Sequence, residues 1–127
     1  MFKAIALLKA KEGLSQEEFV SYYETRHVPL ILASTRHLRD YRRNYLNLRG
    51  PLIFPERALP GFDVITELWF DDRAGYEAAM ADFGRPGIAE RIAQDEENFC
   101  ARDQTQFFVV DERITTPGAP EIRSLQP

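Results

Sequence analysis

Apolar residues recur along this chain with two different periods, and the switches between them divide it into elements. Phe2 to Leu8 reads as a first strand, followed by a turn at Lys9-Ala10-Lys11-Glu12-Gly13. Ser15-Gln16-Glu17-Glu18 has the form of a capping box, in which serine and glutamate side chains satisfy amide hydrogens at the start of a helix. The helix it opens is expected from about Gln16 to Ile31, with Phe19, Tyr23, His27 and Leu30 close to one line and His27 turned inward. Pro29 lacks an amide hydrogen and clashes with the carbonyl four residues back, so a kink is expected around His27.

Leu38 to Leu48 predicts a second strand, with Tyr41, Arg43, Tyr45 and Asn47 on one face and Arg42, Asn44, Leu46 and Leu48 on the other. Gly50 to Gly61, with Pro51, Pro55 and Pro60, predicts a long loop. Phe62 to Phe70 alternates most cleanly: Phe62, Val64, Thr66, Leu68 and Phe70 belong against helices, while Asp63, Ile65, Glu67 and Trp69 face the other way. Asp71-Asp72 caps a helix through Ala81, Phe83-Gly84-Arg85-Pro86-Gly87 breaks it, and a second segment runs from Ile88 to Phe99 with Ile88, Ile92, Asp95 and Phe99 on one face. Thr105 to Ile114 is the last expected strand.

Strand, helix, strand, strand, helix, strand is the order of an α+β, ferredoxin-like fold, a four-stranded antiparallel sheet with helices on one face. Residues 1–115 form the expected domain and residues 116–127 an extended tail, loosely held or wrapped on a partner. The second face of such a sheet needs a cover, because Ile65, Trp69 and the strand-two tyrosines would be costly if exposed there. A homodimer that covers these faces and encloses a pocket is the economical solution.

With 127 residues, 44% hydrophobic and 28% charged, the chain suits one compact domain. It has no apolar run of the roughly 18 residues that cross a bilayer and no signal-peptide pattern, so a cytoplasmic protein without a membrane partner is expected. A net charge of −4 also argues against nucleic acid. The basic run Arg36 to Arg43 is interrupted by Asp40 and lacks the patterns of sheet-based RNA binders. Cys100 stands alone, which excludes an intrachain disulfide, and the two histidines, His27 and His37, fall on different elements and do not form a compact ligand pair.

His27 is the leading candidate for chemistry, because an imidazole can both remove and return a proton in one cycle. Catalysis, ligand binding and a structural hydrogen bond are all compatible with its position. Glu67 and Asp63 are the candidate carboxylates to orient it. Glu67 lies between Ile65 and Trp69, where an unpaired charge would be poorly solvated; an ion pair with Arg43 is the alternative. Tyr22, Tyr23, Trp69, Arg43, Tyr41 and Asp95 complete the substrate-binding candidates, against helix packing for Tyr22 and Tyr23, a dimer interface for Tyr41, and a solvated acidic stretch for Asp95 beside Glu96 and Glu97.

Lys11 to Phe19 continued through Tyr23, His27, Val28, Pro29 and Leu30, the Glu67-Leu68-Trp69-Phe70 strand, and Asp95-Glu96 with Phe99 together resemble the EthD-domain proteins of the dimeric α/β-barrel superfamily. The resemblance covers roughly residues 3 to 114. It implies kinship in fold with small polyketide cyclases, muconolactone isomerases and cofactor-free monooxygenases, and with fungal proteins linked to dehydration of aromatic polyketide intermediates. It implies His27 as the first catalytic or ligand-orienting group, with Asp63, Glu67 and Asp95 as polar pocket residues. The expected activity is cofactor-independent acid-base chemistry on a small cyclic or aromatic carbonyl compound, and the resemblance alone favours a dehydratase or lyase. Cyclisation, isomerisation, oxygenation, or a dimeric carrier without turnover are the alternatives.

Overall fold

A computed structural model describes residues 1–49 and 59–118. The Gly50 to Gly61 loop and the 116–127 tail therefore lie largely outside the described residues. The elements are β1 (Phe2–Leu8), α1 (Gln16–Tyr22), a π-helical turn (Tyr23–His27), α2 (Val28–Ser34), β2 (Asp40–Tyr45), β3 (Val64–Phe70), α3 (Arg73–Phe83), α4 (Ile88–Phe99), a 3₁₀ turn (Arg102–Gln104) and β4 (Gln106–Val110). The strands form one open antiparallel sheet in the order β2-β3-β1-β4, the ferredoxin-like arrangement.

Local chemistry sets the helix starts. Ser15 Oγ accepts from the Glu18 amide at 3.1 Å while Glu18 accepts from the Ser15 amide at 2.9 Å, closing the capping box. Asp72 accepts from the Gly75 amide at 2.8 Å and starts α3. Gly87 takes φ +87°, a left-handed conformation open to glycine, and so turns the chain sharply from α3 into α4.

The first helix does not stop at Ile31; it runs on to Ser34 through a π turn. The Val28 amide donates to the Tyr23 carbonyl five residues back, a widening by one residue just ahead of Pro29. Phe19, Tyr23, His27 and Ile31 are all buried. In an unbroken α-helix a four-residue spacing drifts by about 40° per step, about 120° from the first of these to the last. The extra residue in the π turn takes up most of that drift and keeps all four against the sheet.

The core lies between the helices and one sheet face, on Ala4, Ala6 and Leu8 of β1 and Val64, Thr66, Leu68 and Phe70 of β3. Phe99 is its hub, fully buried, with ring centroids 5.7 Å from Phe19, 5.2 Å from Tyr22, 5.3 Å from Tyr23 and 4.9 Å from His27. Burial of one such side chain contributes about 1.5–3 kcal/mol.

The tyrosines of β2 face this core and not the open side of the sheet, which corrects the expectation that the open face carries them. Tyr41 pairs with Leu68 and Tyr45 with Val64 across the sheet, both on its helix-covered side. The open face carries Asp40, Arg42 and Asn44 beside Ile65, Glu67 and Trp69. Lys3 Nζ lies 4.4 Å from the centre of the Trp69 ring and the Arg42 guanidinium 5.2 Å from it.

Arg43 joins β2 to the π turn, with Nε and Nη2 donating to Glu24 at 2.9 and 2.7 Å, and the Tyr45 hydroxyl donates to the same carboxylate. The Arg43 guanidinium holds the Glu24 carboxyl below its ordinary value of 4.5, opposed by partial burial and helped by Tyr45. A depressed folded-state value makes this stabilisation complete above that ordinary value and lost as pH falls through the folded one. Glu24→Gln is therefore expected to lower the thermal midpoint at neutral pH, with the gap to wild type closing below about pH 4.5; thermal scans across pH 3 to 7 test this, and a pH-independent gap would refute it.

Candidate functional site

Between α4, the π turn and the sheet lies a mostly apolar cavity of about 350 Å³. Small side chains line part of it, at Ala6 of β1 and at Ala89 and Ala93 of α4. The polar lining comes from His27, Tyr23, Tyr41, Thr66, Glu96, Arg102 and Thr105.

His27 is 4% exposed and lies at this wall, with its ring against Tyr23 and Phe99. Its Nδ1 is 2.7 Å from Asp95 Oδ2. A carboxylate accepts, so Nδ1 carries a proton, and in a neutral ring so paired the lone pair is on Nε2. The Tyr22 hydroxyl donates to Asp95 Oδ1 at 2.8 Å, and Asn98 Nδ2 donates to the Tyr22 oxygen at 2.9 Å. Both carboxylate oxygens of Asp95 are thus engaged, and the imidazole has a set tautomer and tilt.

Helical rotation divides the acidic run of α4. Asp95 turns to His27, Glu96 to the cavity, and Glu97 to solvent. Asp95 is the carboxylate paired with His27, a role the sequence assigned to Glu67 or Asp63. Glu67 sits on the open sheet face, accepting from Asn44 Nδ2 at 3.0 Å and from Lys3 Nζ at 3.4 Å. Asp63 accepts from the Ala10 amide at 2.7 Å and joins two chain segments. Neither lines the cavity.

Among the substrate-binding candidates, Tyr23 and Tyr41 line the cavity, whereas Asp95 and Tyr22 do not, Asp95 being linked to it through His27 and Tyr22 through Asp95. Arg43 is held by Glu24, and Trp69 lies on the opposite sheet face. The Tyr23 hydroxyl is 2.6 Å from Thr66 Oγ1. Burial raises the Tyr23 phenol above 10, and burial with the neighbouring Tyr23 hydroxyl raises Tyr41 well above it, so both remain protonated and able to donate. Burial, with Glu96 beside it, pushes the Cys100 thiol up to about 12, which leaves it a poor nucleophile.

Thr66, Glu96 and Arg102 were not among the sequence candidates. Thr66 was visible as the polar member of an otherwise apolar strand face; Arg102 carries no local signal, because a turn after α4 brings it to the cavity. Among the described residues no cluster of three His, Cys, Asp or Glu side chains could hold a metal ion, and no helix is long and apolar enough to cross a membrane.

Sheet, helix layer and cavity define an α+β protein of ferredoxin-like fold with a histidine-lined site beneath its helices. The EthD domain family matches residues 11–103, and the chain belongs to that family. An EthD family protein of Bacillus halodurans C-125 superposes with a TM-score of 0.60 at 18% identity, over 89% of this chain and 100% of that one. An EthD-like protein of Ralstonia eutropha JMP134 gives 0.61 at 19% identity, over 91% and 95%. SnoaB, a cofactor-independent oxygenase from Streptomyces nogalater, gives 0.55 at 13% identity, over 91% and 96%. No curated protein matches the chain. At these identities the structural likenesses establish the fold.

Asp95→Asn preserves shape but replaces the acceptor at His27 with an amide that can also donate. The expected result is loss of the downfield Nδ1–H resonance in imidazole NMR spectra and a stability loss of about 1–3 kcal/mol in denaturant titration. An unchanged tautomer would contradict the assigned pairing.

Proposed function

We propose that this protein is a cofactor-independent acid-base enzyme acting on a small cyclic or aromatic carbonyl compound, with dehydration as its reaction. The observation that carries the reading is a buried imidazole, oriented by a carboxylate at 2.7 Å, on the wall of an apolar cavity lined by protonated tyrosines. His27 Nε2 takes a proton from the carbon beside the carbonyl, and the electron pair of that C–H bond moves onto the carbonyl oxygen as an enolate. The Tyr23 or Tyr41 hydroxyl donates to that oxygen, and Asp95 stabilises the imidazolium. When the enolate collapses, the β C–O bond breaks and the hydroxyl leaves as water with the proton that His27 returns. No redox step is involved.

Removal of that proton alone is the first test. With 2-tetralone in D₂O, wild-type protein is expected to accelerate exchange at the carbon beside the carbonyl, and His27→Asn to remove about 10²-fold or more of that acceleration. Exchange no faster than buffer would defeat the reading. The fold likeness to SnoaB supports a second outcome, in which the same carbanion meets O₂. With 3-hydroxy-1-tetralone, 1-naphthol formed without oxygen uptake favours dehydration, and oxygen uptake favours oxygenation.

The homodimer belongs to the same proposal. Phe108 is 43% exposed on the open face near Ile5, the face that also carries Trp69. A second copy laid on this face covers both. Light scattering at micromolar concentration should give twice the chain mass, with Trp69→Glu shifting it to one; a wild-type monomer would refute this part.

A further inference from the structure

Polarity in the cavity is graded with depth. His27 and Tyr23 are buried, whereas the charged lining residues, Glu96 and Arg102, have side chains 24% and 46% exposed. Glu96, near the end of α4, and Arg102, at the start of the 3₁₀ turn, line the cavity together with Thr105 and the 44% exposed Phe107, and so mark the mouth. Arg102 Nε donates to Glu96 Oε1 at 3.1 Å. A guanidinium has five N–H donors in a planar fork, and this contact takes the Nε edge. The two terminal amino groups, which form the end of the fork that grips a carboxylate by two parallel hydrogen bonds, have no hydrogen-bond partner among the described residues.

We propose that Arg102 is a specificity residue that receives a carboxylate carried by the aromatic guest, with Glu96 holding the guanidinium in place. The inference takes from the proposed function only that the cavity admits a small aromatic molecule. The carboxylate stays at the wet mouth, paired with Arg102, while the ring system fills the space between Ala6, Ala93 and Phe83. An ionised group carried deeper would lose its water beside aliphatic and aromatic walls without a cation to replace it, since Arg102 is the one Lys or Arg among the described lining residues. Glu96 fixes the fork beforehand, so less side-chain freedom is lost when the guest arrives. The favoured substrates are therefore aromatic or cyclic carbonyl compounds that bear an acid group at the end remote from the reacting carbon.

The test uses equilibrium binding of two probes of similar size that bear no β-hydroxyl and so give no dehydration product, 2-naphthoate and neutral 2-acetylnaphthalene, titrated calorimetrically into the full chain at pH 7. Wild type is expected to bind the carboxylate about tenfold or more tightly than the ketone, the scale of one charge-assisted hydrogen bond. Arg102→Gln should abolish the preference by weakening carboxylate binding far more than ketone binding, and Arg102→Lys should restore part of it, because the charge returns without the fork. Equal affinities in wild type, a preference that survives in Arg102→Gln, a parallel loss for both probes, or binding of neither would each overturn the proposal. These titrations read affinity and require no turnover by His27. A carboxylate preference without proton exchange in 2-tetralone would defeat the acid-base reading alone; exchange without the preference would defeat the role of Arg102 alone.

Discussion

The constraint on which this molecule turns is that its first helix must lay Phe19, Tyr23, His27 and Ile31 on the sheet at intervals of four residues. A regular α-helix cannot do this, because its 3.6-residue turn carries the fourth of them about 120° around the axis. The π turn at Tyr23–His27 resolves the conflict, and Pro29 sits just beyond it, where the missing amide hydrogen and the bulk of the ring already disfavour the ordinary ladder. The same turn brings the His27 ring against Phe99 and within 2.7 Å of Asp95 on α4. Backbone register thus decides where the imidazole goes, and Asp95 decides which of its nitrogens is hydrogen-bonded.

The cavity follows from side-chain size. Bulky groups hold helices and sheet apart at Phe19, Phe70 and Phe99, while Ala6 on β1 and Ala89 and Ala93 on α4 face the space between with a methyl group each. A packed interior does not collapse freely around small residues when large neighbours fix the spacing. The β2 anchor works in the same direction, since the Glu24, Arg43 and Tyr45 cluster ties the π turn to that strand and keeps Tyr41 at the cavity wall.

Much of this was legible in the chain. The alternation of Val64, Thr66, Leu68 and Phe70 separated the two sheet faces correctly, the capping box placed the start of α1, and the spacing of Ile92, Asp95 and Phe99 put Asp95 on the inward face of α4. The inward placement of His27 and Tyr23 was legible for the same reason. The partner of His27 was harder to read, because Glu67 and Asp63 share a strand with core residues and yet point to its opposite side, and because Asp95 sits in a run of acids that looks solvated when taken as a segment. Rotation by about 100° per residue splits such a run among three environments. The β2 tyrosines were ambiguous in another way: alternation groups Tyr41 with Tyr45 without saying which side of the sheet the pair faces, and only the pairing of Tyr41 with Leu68 settles it. Arg102 had no signal at all, since its place depends on how the chain turns after Cys100.

The two faces of the sheet carry different electrostatics, and this explains why Asp95 serves His27 while Glu67 does not. Glu67 lies among Lys3, Asn44 and the cation-covered Trp69 ring, a network that satisfies its oxygens on the open face. To reach an imidazole on the other side, its side chain would have to pass through the strand that carries it, which pleat geometry forbids. Asp95 reaches His27 from a helix above the same face, and its second oxygen is taken up by Tyr22, whose own oxygen accepts from Asn98. A carboxylate 13% exposed with both oxygens occupied has little freedom to rotate away from the imidazole. An orienting acid in a water-poor site needs that restraint, because each lapse would leave Nδ1 unpaired beside Phe99 and release the ring from the tautomer that exposes Nε2.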